Sequence, residues 1–289
     1  MKKHIIIALL FLSLSTGSYS HAEKIKVIAS IVPIADFVTQ IGGEQVEVTL
    51  LLPPGASPHI YEPTPKTISD IADAKIFVKI GAGLEFWAEK IIKASGNENL
   101  VVVTASSGIP LIHEPRAHSP SGVDPHIWLD PTIASMIVTK IEKSLIEVDP
   151  LNAEFYMLNA SVYRKKLSQL DREISEKVMT FKIKEYVTFH TAWNYFSKRY
   201  GLIVAGVIQE SPGKEPSPKH IAKIIKEIKR IGSSVIFVEP QFNPKIAETV
   251  ARECNAKIVL LDPIGGQKGK ETYVDLMRYN ISAMERVMK

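Results

Sequence analysis

Short apolar runs alternate with amphipathic stretches along most of this chain. From Lys24 the runs are I-K-V-I-A-S, V-E-V-T-L-L-L, K-I-F-V-K-I and N-L-V-V-V-T, and the stretches between them predict helices over 34–41, 67–74 and 84–94. Strands separated by helices in this rhythm form a parallel sheet covered by helices. The rhythm returns after Lys184 as E-Y-V-T-F, L-I-V-A-G-V-I, S-V-I-F-V-E and K-I-V-L-L-D, with helices predicted over 192–200, 218–231 and 244–254. Residues 152–178 contain no Gly or Pro, and Phe155, Leu158, Val162, Leu167, Leu170, Ile174 and Val178 fall near helical spacing. Asp149-Pro150 supplies a start for this helix. A rod of that length spans roughly 40 Å. The expected fold is therefore α/β, with two lobes, each a mainly parallel sheet flanked by helices, joined by one long rigid backbone helix that argues against a wide hinge.

The beginning of the chain reads differently. Met1-Lys2-Lys3 is cationic, residues 5–14 are apolar, and small residues crowd 13–22, the pattern of a cleaved secretory signal. The apolar run is shorter than the roughly 20 residues that a membrane-spanning helix needs. No cysteine lies near the cleavage region, so the expectation is a periplasmic protein without a lipid anchor. The resulting division is a signal at 1–22, a first lobe at 23–150, a linker helix at 151–182 and a second lobe at 183–289. Removing Lys2 and Lys3 lowers the formal charge from +4 to +2. Near-neutrality speaks against nucleic acid as a partner. Cys254 is the single cysteine, so no internal disulfide can form.

Four residues stand out against this background. His59, His126, His190 and Asp262 are separated by 67, 64 and 72 residues (126−59, 190−126, 262−190), and each lies past an apolar run. Three imidazoles and a carboxylate suit a divalent ion such as Zn(II). Taken singly, each has a plain structural reading: a turn histidine, a packed histidine beside Trp128, a helix-start histidine and an Asx turn. Five prolines in L-P-P-G-A-S-P-H-I-Y-E-P-T-P stiffen the segment of His59. Asp124 and Asp130 flank His126, and either could orient its ring. Glu239, also at a strand end, is a rival carboxylate or a supporting partner. His113 and His118 sit in a Pro-, Ser- and Gly-containing loop and are expected outside the buried site, with His220 on a helix surface. Trp87, Trp128 and Trp193 are expected in the core.

The segments S-I-V-P-I-A-D-F, P-H-I-Y-E-P-T-P, D-P-H-I-W-L-D-P, F-H-T-A-W-N-Y-F, E-P-S-P-K-H-I, F-V-E-P-Q-F and L-L-D-P-I-G-G, in this order, resemble the cluster A-I family of ABC-transporter solute-binding proteins, the zinc and manganese binders of the ZnuA and TroA type. The resemblance runs over essentially the whole chain after the signal. It implies metal bound in a cleft between two α/β lobes, by His59 and His126 from the first and His190 and Asp262 from the second. It also implies delivery of the ion to the membrane permease of an ABC importer, by a monomer that is not an enzyme. A histidine at position 190 resembles the zinc-type site, where manganese members commonly carry Glu. The loop ahead of His126 is shorter and less histidine-rich than in many zinc members, and Cys254 lacks the partner that some carry. Mn(II) therefore stands as the alternative cargo. Rival functions are a metal-dependent adhesin on the same fold and a secreted zinc hydrolase, the latter disfavoured because no H-E-x-x-H occurs.

Overall fold

The computed structural model describes residues 23–113, 122–210, 214–232 and 235–289. The signal at 1–22 and His118 lie outside the described residues. The first lobe carries β1 (Ile25–Ala29), α1 (Val32–Gly42), β2 (Val46–Leu50), α2 (Pro65–Ala72), β3 (Ile76–Lys79), α3 (Ala88–Ser95), β4 (Val101–Thr104) and α4 (Pro131–Val148). A 27-residue helix, α5 (Ala153–Met179), leads to the second lobe. There follow β5 (Glu185–Thr188), α6 (Asn194–Tyr200), β6 (Ile203–Val207), α7 (Pro218–Ile231), β7 (Val235–Val238), α8 (Lys245–Cys254), β8 (Lys257–Leu260) and α9 (Tyr273–Met288).

Both sheets are parallel and share one plan, with strand orders β2-β1-β3-β4 and β6-β5-β7-β8. Burial explains which runs lie inside. The V-I-F-V of β7 is buried at every position and the I-F-V of β3 at each of its three apolar ones, as central strands covered on both faces require. The edge strands β4 and β8 are half-exposed. Helices α2 and α3 cover the outer face of the first sheet around Phe77, Trp87 and Ile91. Helices α7 and α8 cover the outer face of the second around Ile224, Ile228 and Val250. Between the sheets, α1, α4, α5, α6 and α9 share one apolar core that reaches from Val27 in β1 to Phe237 in β7. A core continuous through both lobes opposes their separation.

The linker helix departs from its expected stripe. Leu158 and Val162 are 64% and 46% exposed, while Tyr156, Ala160 and Tyr163 face inward. Hydrogen bonds pull the two tyrosines in, Tyr156 Oη to Asp149 Oδ2 at 2.7 Å and Tyr163 Oη to Asp36 Oδ2 at 2.8 Å. Helices α4 and α9, absent from the sequence-based scheme, supply much of the middle layer. Each begins with a side-chain cap: Asp130 accepts from Thr132 N, and Thr272 accepts from Asp275 N.

Candidate metal centre

The loops after the strands of both sheets converge between the lobes. After β2 the backbone stays tied to the sheet through Leu51 N to Ala29 O (2.9 Å) and Leu52 N to Ser30 O (3.2 Å). The proline-rich stretch then forms a single tight turn, Pro58–Ile60, which carries His59. His126 immediately precedes the turn Ile127–Leu129 that runs into α4. His190 stands two residues past β5, and Glu239 directly follows its neighbour β7. These adjacent strand ends lie where the strand order reverses, the usual binding crevice of an open parallel sheet.

His59, His126 and His190 meet as one cluster, their ligand atoms all within 4.8 Å of one another. His126 Nε2 lies 3.1 Å from His59 Nε2 and 3.3 Å from His190 Nε2. Tetrahedral bonds of zinc–imidazole length would set ligand nitrogens about 3.3 Å apart, so both spacings fit one small ion. His126 and His190 are each 3% exposed. Ser57, Pro58, Gln241, Phe242, Pro263 and Ile264 complete the chamber, whose free space is about 10 Å³, the size of a single ion or water. Residues before and after α5 line it in comparable number.

A carboxylate fixes one ring and a second carboxylate lies beside another. His126 Nδ1 lies 2.7 Å from Asp124 Oδ1, which also accepts the His126 backbone N–H at 2.9 Å. With Nδ1–H donated to Asp124, the Nε2 lone pair faces the chamber. Asp130, the other flanking acid, is used instead as the cap of α4, through Thr132 N and Oγ1 at 2.7 Å each. Burial, joined by the nearby His190, holds His126 well below its ordinary pKa, which keeps the ring neutral. Burial pushes Asp124 up to about 7 against the opposing pull of its hydrogen bonds and of His190. His190 Nδ1 faces Glu239 Oε1 at 3.2 Å. The same oxygen accepts from Trp193 Nε1 (3.1 Å) and Thr188 Oγ1 (3.2 Å). Glu239 is thereby a partner of a histidine.

Asp262 lies outside the three-histidine cluster. It follows β8, and its backbone is pinned to α9 by Asn280, whose side chain bonds both Asp262 N (2.8 Å) and Asp262 O (2.7 Å). Its Oδ1 accepts from Gln241 Nε2 (2.9 Å), Ile264 N (3.0 Å) and Gly265 N (3.0 Å). Its Oδ2 accepts the Lys270 ammonium at 2.5 Å. Burial acts to raise its pKa, but Lys270 and these N–H groups outweigh it and hold the carboxyl below its ordinary value. Neither Gln241 nor Lys270 was singled out in the sequence; only the E-P-Q-F strand end placed Gln241 near the site.

The remaining candidates resolve simply. His113 pairs with Val123 in an isolated bridge, away from the cluster. His220, expected on the surface, turns inward so that its Nε2 meets Val207 O at 2.8 Å. Trp87, Trp128 and Trp193 are buried as expected. Trp128 and Trp193 also carry polar duties, Trp128 Nε1 donating across the cleft to Pro263 O at 2.7 Å.

The fold and sequence recur among known proteins. The zinc uptake protein "High-affinity zinc uptake system protein ZnuA" of Bacillus subtilis (strain 168) is 34% identical over 281 residues, covering 92% of this chain and 88% of the relative. "Manganese-binding lipoprotein MntA" of Halalkalibacterium halodurans is 30% identical over 272 residues, covering 92% and 89%. A crystal structure of a zinc-bound ZnuA deletion mutant superposes with a TM-score of 0.84 at 30% identity, covering 92% of this chain and 99% of the other. Residues 27–287 match the family described as "ZnuA: Zinc-uptake complex component A periplasmic", and the chain belongs to that family.

Proposed function

We propose that this protein is the extracytoplasmic binding component of an ABC importer, capturing Zn(II) between its lobes and delivering it to a membrane permease. The observation that carries this reading is the convergence of His59, His126 and His190 from opposite halves of the chain, with Nε2 atoms 3.1 and 3.3 Å apart. Imidazole nitrogens at this spacing favour zinc over harder ions, which prefer oxygen donors. The three imidazoles are the primary ligands. Asp262 directly precedes the lining residues Pro263 and Ile264, and its Oδ2 is held by Lys270. The zinc-uptake relative and the zinc-bound neighbour support zinc as cargo, and the manganese-binding relative keeps Mn(II) as the alternative.

Release follows from the same division of ligands. With donors on both lobes, a small relative shift spoils the coordination, so docking on a permease could discharge an ion that is otherwise held tightly. Glu239 Oε1 is taken by Thr188 and Trp193 and lies beside His190 Nδ1, so that carboxylate is tied to the wall behind a ring. Among the described residues no helix is long and apolar enough to cross a membrane. Competition titration with a zinc chelator tests the assignment. His59→Ala combined with His190→Ala should weaken zinc binding by at least about 100-fold, and unchanged affinity would overturn it.

A further inference from the structure

Asp262 is a carboxylate beside a metal chamber, and both of its oxygens already carry hydrogen bonds. Oδ1 already accepts three N–H groups, from Gln241, Ile264 and Gly265. A carboxylate oxygen has about two lone-pair directions, so Oδ1 is saturated. Oδ2 accepts Lys270 Nζ at 2.5 Å. Any ion that takes an oxygen donor from this residue must therefore share Oδ2 with the ammonium or displace it.

Lys270 is built into that position. The residue is 8% exposed. Its backbone closes a short turn, Lys270 N bonding Gln267 O (2.8 Å) and Gly266 N bonding Lys270 O (2.7 Å). Its Nζ also meets Gln267 Oε1 at 3.3 Å and lies 5.0 Å from the ring centre of Tyr279. Gly265, with φ +76°, brings its backbone so close to Lys270 O that a Cβ there would sit 2.8 Å from it. A buried ammonium needs a counter-ion, and Asp262 is the acid within bonding distance. The pairing thus satisfies both charges at once and is costly to open.

We propose that Lys270 is a specificity-determining residue: by holding Asp262 Oδ2 it keeps the chamber a nitrogen-donor site and biases it toward zinc against manganese. This rests on the reading of the three histidines as zinc ligands. Mn(II) gains most from anionic oxygen, whereas Zn(II) is well served by imidazole. Withholding the carboxylate therefore penalises manganese more than zinc. In a chain whose relatives include both zinc and manganese binders, the choice would lie in the pairing around the carboxylate as well as in the imidazoles.

The test compares wild type, Lys270→Met, Lys270→Gln, Lys270→Arg and Asp262→Asn, titrated separately with zinc chloride and manganese chloride in chelator competition, with thermal melts to establish folding. Lys270→Met keeps the unbranched stem and frees the acid. It should raise manganese affinity about tenfold or more and narrow the zinc-to-manganese preference by a similar factor, while Lys270→Arg preserves the wild-type preference. Asp262→Asn removes the anionic oxygen itself and should leave manganese affinity no higher than wild type, and Lys270→Gln, with the same gain expected as Lys270→Met, decides the matter if Lys270→Met does not fold. An unchanged preference in whichever of these two Lys270 variants folds, or a manganese gain of about tenfold in folded Asp262→Asn, overturns the proposal. Failure of the histidine reading looks different, because zinc binding would then survive removal of His59 and His190.

Discussion

Asp124 and His126 share a hydrogen bond of 2.7 Å, and burial moves the two groups in opposite directions: the acid up to about 7, the base well below its usual value. Just below pH 7 the pair therefore takes up a proton on Asp124, with the imidazole neutral. A metal on Nε2 needs Nδ1–H directed at an ionised carboxylate, so binding expels that proton. Zinc affinity should fall as pH drops below about 7, by up to about tenfold per unit from this pair, since one proton is exchanged. The sign for folding is separate. Asp124 has its folded pKa raised above the ordinary 3.8, so its contribution to stability grows as pH falls through 7, while the depressed His126 withdraws stability as pH falls below 6.5. Asp124→Asn should flatten the decline of zinc affinity between pH 7.5 and 5.5 and lower affinity at pH 7.5 by about 10- to 100-fold. Chelator competition across that range checks it, and a slope equal to wild type would remove Asp124 from the linkage. Sequence alone left Asp124 and Asp130 equivalent. What separated them was backbone direction, which turns Asp130 toward Thr132 and Asp124 toward the ring.

Among the elements, the strands were the most legible, because parallel strands buried on both faces write themselves as continuous apolar runs such as V-I-F-V in β7. The ends of these strands located His190 and Glu239 as well. The linker helix was legible in extent and less so in facing. Its inward side is built largely from Tyr156 and Tyr163, whose hydroxyls find Asp149 and Asp36, so a count of apolar residues misplaced Leu158 and Val162, whereas Phe155 packs against the core as expected. Helix α4 shows how a cap can hide inside an apparent metal motif. In D-P-H-I-W-L-D-P the second Asp-Pro is a helix start, with Asp130 at the cap and Pro131 at the first position. Asp130→Ala should cost about 1 kcal/mol and lower the melting midpoint by about 2–4 °C. Zinc affinity should stay near wild type, because the side-chain hydrogen bonds of Asp130 among the described residues go to Thr132. A thermal melt together with a zinc titration measures both. An affinity loss as large as that of Asp124→Asn would mean that the start of α4 is itself part of the site.

At the scale of the whole molecule, the question is how far the lobes can move, and the structure fastens them on both sides of the chamber. On one side Tyr195 Oη receives Ile112 N at 2.9 Å and donates to Asp124 O at 3.1 Å. On the other, Trp128 Nε1 donates to Pro263 O and Tyr273 Oη donates to Trp128 O, both at 2.7 Å. Tyr273 N also reaches Asp36 Oδ2 at 2.9 Å, stapling the start of α9 to α1. Gly266, with φ +82°, lets the same loop lie against Val32 and Pro54 of the first lobe, where any Cβ would come within 2.8 Å of Val32. These ties and the shared core leave room for adjustments at the imidazoles and little for a wide opening. Zinc should therefore leave the radius of gyration unchanged within about 1 Å in solution scattering, far below the change that a hinged two-lobe closure would give. It should at the same time raise the stability of a single unfolding transition by about 2.7 kcal/mol at a free zinc concentration 100 times the dissociation constant, since only the folded chain brings the three rings together. A large scattering change, or separate transitions for the two lobes with only one of them shifted by zinc, would show that the halves act independently and that the ion does not bridge them.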